Sequence, residues 1–192
     1  MLSDLITSKS RVKLLNVFLL NPYEIYHVRE CVRRTNDEIN AVRRELQYLN
    51  KKGILTREQR ANRVYYALDK NYTFYYDLLN IGAKTLGLGH EVIKNRAKLG
   101  KIKFAMFSGQ FARKVKKNPE DVDFMMVGTV VLPELAVLVR KEEARIGKEI
   151  NYTAMTEDEF KFRKKRNDPF ITAILMGSRL MLIGDEEAML SQ

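Results

Sequence analysis

Apolar residues recur at helical spacing in three segments near the start of the chain. The first segment runs from Ser8 to Leu20, and the second runs from Val28 to Arg33. The third follows Thr35-Asn36-Asp37-Glu38, whose Thr-x-x-Glu form is typical of a capping box. Its apolar positions are Ile39, Val42, Leu46 and Leu49, and Gly53 follows as an expected C-terminal cap. The spacing therefore predicts three helices, the third over residues 36–50.

The pattern after the third helix is that of strands rather than helices. Ile54–Arg57 and Arg63–Leu68 are rich in strand-forming residues, and polar residues separate them. This arrangement predicts a two-stranded hairpin. A further helix is predicted over Phe74–Ile81. The glycines between Gly82 and Gly89 indicate a boundary, which predicts domains over residues 1–82 and 88–192.

The second half of the chain alternates strand-like and helix-like segments. The predicted strands are Ile102–Phe107, Val122–Val127, Glu149–Ala154 and Leu180–Ile183. The predicted helices are Gln110–Lys117, Leu132–Ile146, the segment 157–166 after a second Thr-x-x-Glu sequence at Thr156, and Pro169–Leu175. We therefore expect an α+β protein, with a helical N-terminal domain that carries a hairpin and a following α/β domain.

Charge and composition narrow the classes of partner. The 192 residues carry a formal net charge of +10, which favours polyanions such as nucleic acid. Cys31 is the one cysteine, and His27 and His90 are the two histidines, so no zinc-ligand spacing and no internal disulfide are expected. The chain shows neither a signal-peptide pattern nor a long apolar run. These observations predict a cytoplasmic protein without a membrane partner.

The third helix and the hairpin carry the residue types that contact DNA. The predicted DNA-contacting residues are Asn36, Asn40, Arg43, Arg44 and Gln47 on the helix, and Arg57, Arg60 and Arg63 on the hairpin. Amide and guanidinium groups can read base edges in the major groove, while the hairpin arginines can contact phosphates or the minor groove. Two alternatives stay open, a solvated basic helix face and a protein-docking module.

Several short motifs in this part of the chain resemble those of a known regulator family. They are Ser10-Arg-Val-Lys-Leu-Leu, Val28-Arg-Glu, Ile39-Asn-Ala-Val-Arg-Arg-Glu-Leu, Leu49-Asn-Lys-Lys-Gly-Ile-Leu and Val64-Tyr-Tyr. The segment 5–80 resembles the winged helix-turn-helix regulators of the arsenic-sensor type. The resemblance implies a homodimer that binds double-stranded DNA and regulates transcription. The family's metal-sensing members use paired cysteines or histidines, which this chain lacks.

A second group of residues points to phosphate chemistry. Gly109 allows a tight turn between a strand and a helix, where the amides of the helix start could bind phosphate. Asp121 and Asp123 lie two residues apart on a predicted strand, so both carboxylates are expected on one side and could share Mg²⁺. Together these features would form a two-metal site for phosphoryl transfer. The alternative for the aspartates is a pair of solvated charges.

Residues 88–185 resemble the minimal nucleotidyltransferases of the DNA polymerase beta superfamily. The matching motifs are Gly109 with Phe111-Ala112-Arg113, and Asp121-Val-Asp123-Phe-Met-Met-Val-Gly128. The resemblance implies nucleotide contacts at Gly109, Gln110 and Arg113, and catalytic, Mg²⁺-binding roles for Asp121 and Asp123. Gln110 replaces the family's phosphate-holding serine, and Asn151 stands where a third carboxylate is expected.

The incomplete catalytic set predicts a degenerate domain that has lost catalysis. An asparagine can offer a carbonyl oxygen to a metal but cannot act as a base. No cofactor is then required, although Mg²⁺ and a nucleotide are candidate ligands. The alternative is an active Mg²⁺-dependent nucleotidyltransferase that acts on a small molecule or a protein. Glu149, which would share a strand face with Asn151, could restore the missing carboxylate, and Gly177-Ser178 is expected to be only a turn.

Overall fold

The computed structural model describes residues 2–115, 118 and 121–191. The chain is of mixed α and β structure, and it divides into two compact units, Met1–Leu86 and Gly87–Gln192. Each unit contains its own β-sheet. The division falls within the glycine-containing stretch 82–89 that the sequence analysis takes as the boundary.

The first unit combines helices with a small antiparallel sheet. Its elements are α1 (Leu2–Leu5), α2 (Lys9–Leu20), β1 (Tyr26–His27), α3 (Val28–Thr35), α4 (Ile39–Lys51), β2 (Leu55–Arg60), β3 (Arg63–Leu68) and α5 (Tyr75–Thr85). The strand order is β1-β3-β2. The apolar faces of α2 and α4 supply much of the core, because Leu14, Phe18 and Leu46 are each fully buried. This core holds α4 with its opposite face toward solvent.

The boundary between α3 and α4 differs from the predicted capping box. Thr35 belongs to α3, and its buried hydroxyl donates to the carbonyl oxygen of Cys31 at 2.9 Å. Asn36 has φ 51° and donates its backbone N–H to Val32 O, so it ends α3 in the left-handed region. Glu38 caps α4 instead, since its carboxylate accepts from the backbone N–H groups of residues 40 and 41. The third helix therefore starts at Ile39 rather than at residue 36.

The predicted hairpin is present and acquires a third strand. Strands β2 and β3 pair from Leu55↔Leu68 to Arg60↔Arg63, so the connecting turn contains only residues 61 and 62. On its other side β3 pairs with β1, where Tyr26 lies opposite Tyr66. The sequence analysis missed β1, because a strand of two residues has no period to detect.

The second unit is built on one mixed sheet with helices around it. Its elements are α6 (Gly87–Lys94), β4 (Gly100–Ser108), α7 (Gly109–Ala112), β5 (Phe124–Val130), α8 (Leu132–Ile146), β6 (Tyr152–Met155), α9 (Glu157–Lys165), α10 (Pro169–Met176), β7 (Arg179–Ile183) and α11 (Glu186–Leu190). The strand order is β6-β5-β4-β7, with β4 antiparallel to both neighbours and β5 parallel to β6.

Several elements of this unit agree with the sequence analysis and others do not. The helix over Leu132–Ile146 is confirmed residue for residue. The helix predicted over Gln110–Lys117 is only the four residues of α7, and residues 116 and 117 lie outside the described part of the chain. Helices α6 and α11 were not predicted. In residues 2–115, 118 and 121–191, no helix combines the length and apolar character needed to cross a bilayer.

Candidate functional site

Helix α4 presents a polar face to solvent directly opposite its apolar face. Val42, Leu46 and Leu49 are fully buried. The predicted DNA-contacting side chains on this element are all exposed, and they are Asn40, Arg43, Arg44 and Gln47, with Asn36 exposed just before the helix. The same packing that buries one face therefore leaves the hydrogen-bonding groups of the other accessible.

Three contacts hold α4 against the start of α2 and its N-cap residue, Ser8. Glu45 accepts from Arg11 Nε at 2.7 Å and from the Ser8 hydroxyl at 2.6 Å. The Arg11 guanidinium also lies over the Tyr48 ring, 3.8 Å from its centroid. Sequence reasoning missed this cluster, because the residues are separated along the chain. Its contacts hold one side of α4 against α2 and leave Arg43 and Arg44 exposed.

The hairpin arginines are exposed, and Arg60 has an acidic partner on its own strand. Arg57, Arg60 and Arg63 are all exposed. The carboxylate of Glu58 accepts from Arg60 Nε and Nη2, both at 2.8 Å, and this pairing lowers the pKa of Glu58. The Arg60 guanidinium also lies 5.3 Å from the centroid of the Tyr65 ring. The charge of Arg60 is thus partly offset in the free protein.

Glycine is needed at position 109 for a different reason from the one predicted. The backbone N–H of Gly109 donates to Ser178 O at 2.6 Å, and Ser108 Oγ accepts from Phe111 N at 3.2 Å. Arg113 donates to Gly109 O and to the Ser178 hydroxyl. A Cβ on Gly109 would lie 2.6 Å from Arg113 Nη2 and 2.9 Å from Ser178 Cβ. Glycine is thus required here by the close approach of Ser178, and two amides at the start of α7 already have protein acceptors.

Asp121 and Asp123 lie in the connection before β5, so their expected placement on a strand is wrong. Asp123 is only 1% exposed, and its Oδ2 accepts from Asn151 N at 3.0 Å, while its own N–H donates to Asn151 O at 2.7 Å. Asp121 Oδ2 accepts from Asn118 N at 3.2 Å, and Asp121 O accepts from Asn151 Nδ2 at 3.3 Å. Asn151 therefore lies beside both aspartates, and Asp123 stabilises the chain that leads into β6.

The structure does not support the suggested rescue by Glu149. Glu149 lies before β6 and its side chain is exposed, so it does not share a strand face with Asn151. Across the described residues, no cluster of three or more His, Cys, Asp or Glu side chains could hold a metal ion. The Mg²⁺ role of Asp121 and Asp123 stays a prediction.

A cavity of about 250 Å³ lies beside the Gly109 turn. Its lining residues are Met106, Ser108, Gln110, Asp121, Val122, Phe170, Ala173, Ile174, Gly177 and Ser178. Gln110 and Asp121 were expected at a ligand site, and the fold brings both to this cavity, whereas Gly109 and Arg113 are not among the described residues that line it. Ser178 was expected to be part of a simple turn. The one signal for it was a polar residue two positions after the end of the apolar helix α10.

Comparisons of the chain with protein-family models, curated proteins and solved structures found no match. The two resemblances drawn from the motifs therefore stay predictions. Any assignment of function rests on the α4 surface, the hairpin and the cavity of the second unit.

Proposed function

We propose that the first unit is a winged helix-turn-helix domain and that the protein is a sequence-specific DNA-binding transcriptional regulator. The proposal is supported by the succession of α3, a short connection, α4 and the β2–β3 hairpin. In a domain of this type the second helix of the pair enters the major groove and the hairpin forms the wing. Here α4 would be the recognition helix.

The observation that carries the proposal is the division of α4 into two chemically opposite faces. One face is fully buried at Val42, Leu46 and Leu49. The other exposes two amide side chains and two arginines within three turns of helix. Arginine pairs well with guanine, and asparagine or glutamine pairs well with adenine, in the major groove. A helix face that only contacts solvent needs no side chains that can recognise bases, and glutamate or lysine would be equally suitable there.

The hairpin and the net charge would supply affinity rather than specificity. Arg57 and Arg63 are exposed on β2 and β3, where they could contact phosphates on either side of the groove that α4 enters. The net charge of +10 adds a favourable long-range field for a polyanion. In this proposal a homodimer would place two copies of α4 in successive major grooves of double-stranded DNA, and the operator would have two-fold symmetry.

The proposal is tested by selecting bound duplexes from a random DNA pool at physiological salt. The wild-type protein is expected to enrich a two-fold-related motif. The Arg43→Ala/Arg44→Ala protein is expected to enrich none, because its recognition helix has lost both base-reading guanidinium groups. A wild-type protein that enriches no motif would contradict sequence-specific binding and would favour the protein-docking alternative.

A charge-matched variant separates base reading from simple loss of positive charge. Lys70→Ala/Lys84→Ala removes two exposed basic side chains of the first unit that lie outside α4 and the hairpin. This variant is expected to enrich the same motif as the wild type. If it loses the motif as well, the wild-type selection reflects net charge alone.

We propose no catalytic role for the second unit, which we regard as a degenerate nucleotidyltransferase-like domain. Support comes from Asp123, whose buried carboxylate accepts the backbone N–H of Asn151, and from the engaged amide of Gly109. The enzyme alternative has a direct test. Mg²⁺-dependent ATP binding that is lost in Asp121→Asn would favour an active nucleotidyltransferase over this proposal.

A further inference from the structure

A run of basic residues joins the end of α6 to the start of β4. Residues 92–103 contain five basic residues and no Asp or Glu. One of the five, Lys103, pairs with Glu157 at 2.9 Å. The other four side chains are exposed, and they are Lys94, Arg96, Lys98 and Lys101. We call these four residues the basic turn.

The basic turn differs from other parts of the second unit in the pairing of its charges. Several basic side chains elsewhere in this unit have carboxylate partners, and they are Lys103, Lys141, Arg145, Arg163 and Arg179. Within the described residues, no side chain of the basic turn has an ion-pair partner. Glu91, the nearest acidic residue in sequence, contacts Lys141 at 3.7 Å. The four charges of the basic turn are therefore available to an external anion.

Buried contacts hold the backbone of the basic turn in place. Leu99 is fully buried, and its carbonyl oxygen accepts from Val131 N at 2.9 Å. Gly100 has φ 104°, and a Cβ at this position would overlap the carbonyl oxygen of Thr129, so no larger residue fits there. The cations thus extend from a fixed backbone, and binding would require little ordering of the main chain.

Lys94 and Lys98 lie about one helical turn apart. Asn95 N donates to Glu91 O at 2.9 Å, and Leu99 N donates to Asn95 O at 3.1 Å, so the helical path of α6 continues through the turn. Residues four apart on such a path have Cβ atoms about 5–6 Å apart. Two long lysine side chains at this spacing can contact neighbouring phosphates, and as compact point charges they do not distinguish between bases.

We propose that the basic turn binds the phosphate backbone of double-stranded DNA without sequence preference. The second unit would then add affinity to a chain whose first unit reads bases, and the choice of DNA as the ligand rests on that proposed function. Charge complementarity carries the inference, because a group of exposed, unpaired cations gains most from a polyanion whose counterions it can displace. Contact with an anionic membrane surface is the alternative that the experiment must separate.

The test measures binding of the full chain to a duplex of random sequence by fluorescence anisotropy at several salt concentrations. The parent protein carries Arg43→Ala/Arg44→Ala, so a failure of base reading by α4 cannot produce the result. Adding Lys94→Gln/Lys98→Gln/Lys101→Gln should weaken binding at least about tenfold. It should also reduce the slope of log affinity against log salt by about two to three, since each lost phosphate contact removes about 0.9. A parent protein that does not bind this duplex would overturn the proposal.

The matched control is Lys148→Gln/Lys161→Gln/Lys165→Gln in the same parent, an equal charge change at exposed positions of the second unit outside the basic turn. It should change the affinity and the salt slope much less. Equal losses in the two triple variants would show a response to net charge alone and would overturn the proposal. Lys101→Gln by itself, on β4 and outside the end of α6, should reduce the slope by about 0.9.

Two further measurements separate the other roles that these cations could have. Thermal melts should be unchanged, because exposed charges contribute little to stability. A Lys94→Gln/Lys98→Gln/Lys101→Gln protein that melts earlier but binds DNA as the parent does would show that the cations only complement the dipole of α6, and would overturn the proposal. Binding to phosphatidylserine vesicles that needs the basic turn, when DNA binding does not, would also overturn it and would favour a membrane surface as the partner.

Discussion

The carboxylate of Glu142 and the guanidinium of Arg145 form two parallel hydrogen bonds on α8, at 2.8 Å from Nε to Oε2 and 2.6 Å from Nη2 to Oε1. Glu142 is only 5% exposed. Burial raises the pKa of its carboxyl, but the hydrogen bonds and charge of Arg145, the charge of Lys114 and a hydrogen bond from the Leu88 backbone together outweigh burial, so the pKa lies below its ordinary value. Gly87 at the start of α6 fits closely against the same carboxylate, since a Cβ there would lie 2.7 Å from Oε1.

Replacing Glu142 by glutamine should destabilise the second unit at neutral pH. The substitution keeps the shape but removes the charge that pairs with Arg145, and a loss of about 1–3 kcal/mol in the free energy of unfolding is expected. Because the folded-state pKa is below the unfolded value, this contribution is complete above the ordinary pKa of 4.5 and is lost as pH falls toward the folded-state pKa. Urea unfolding of wild type and variant at pH 7 and at pH 3 measures both effects.

The control for this experiment is Glu134→Gln, on the same helix but exposed. It should change stability by less than about 0.5 kcal/mol at either pH. A difference between wild type and Glu142→Gln that stays constant from pH 7 to pH 3 would contradict the assignment of the effect to the ionised carboxylate.

Gly109→Ala should destabilise the second unit, because the new methyl group would clash with Ser178 and Arg113. Forcing these atoms apart typically costs about 1–3 kcal/mol. Ser178→Gly removes the Cβ and Oγ atoms of Ser178, which the new methyl group would otherwise meet. The double variant should therefore recover part of the lost stability. Thermal melts of the two single variants and the double variant measure the coupling. Additive losses would show that Gly109 is required for another reason.

Cys31 should be unreactive in the folded protein. Its side chain is fully buried, and burial raises the pKa of the thiol to about 12. The thiolate is the reactive form, so reaction with Ellman's reagent at pH 8 should be slower by about 100-fold or more in buffer than in denaturant. No other cysteine contributes to the signal. Rapid labelling of the native protein would indicate that α3 opens readily from the core.

Glu58→Gln should strengthen DNA binding if the β2–β3 hairpin acts as a wing. The substitution removes the carboxylate that pairs with Arg60 and takes one negative charge from the hairpin. An affinity gain of roughly two- to fivefold with a steeper salt dependence is expected. Fluorescence anisotropy with the selected duplex at several salt concentrations measures both quantities. Glu24→Gln, the same charge change at an exposed site outside α4 and the hairpin, should have a smaller effect.

Local patterns predicted the long elements well. The periodicity of α8 marked both of its ends, and the strand-forming residues on either side of a polar segment marked the hairpin, because each signal lies within one continuous segment. The expected polar tip was too long, since Glu58–Arg60 belong to β2. The Thr35–Glu38 pattern failed at its first residue. The Thr35 hydroxyl donates to the preceding turn of its own helix, an equally local contact that the motif does not distinguish from a cap.

The site residues depended more on contacts between distant segments. Gln110 and Asp121 reach the cavity as expected, but Ser178 reaches Gly109 only because Ser108 of β4 lies opposite Arg179 of β7. The hydrophobic periodicity of a sequence does not indicate which of its strands will pair. The contact between Asp123 and Asn151 also joins distant segments. The motif indicated that the two residues lie close together, but it did not indicate that Asp123 would be buried.

The position of β7 in the sheet has a consequence for biosynthesis. Every strand of the first sheet has been made once Leu68 leaves the ribosome, so that sheet can pair early. Strand β4 is central in the second sheet, yet one of its two neighbours is translated after β5 and β6. Until Arg179–Ile183 emerges, one edge of β4 is left unpaired and open to association with other nascent chains. We therefore expect ribosome-stalled chains that end before Arg179 to require a chaperone, whereas chains stalled just after the first unit should not.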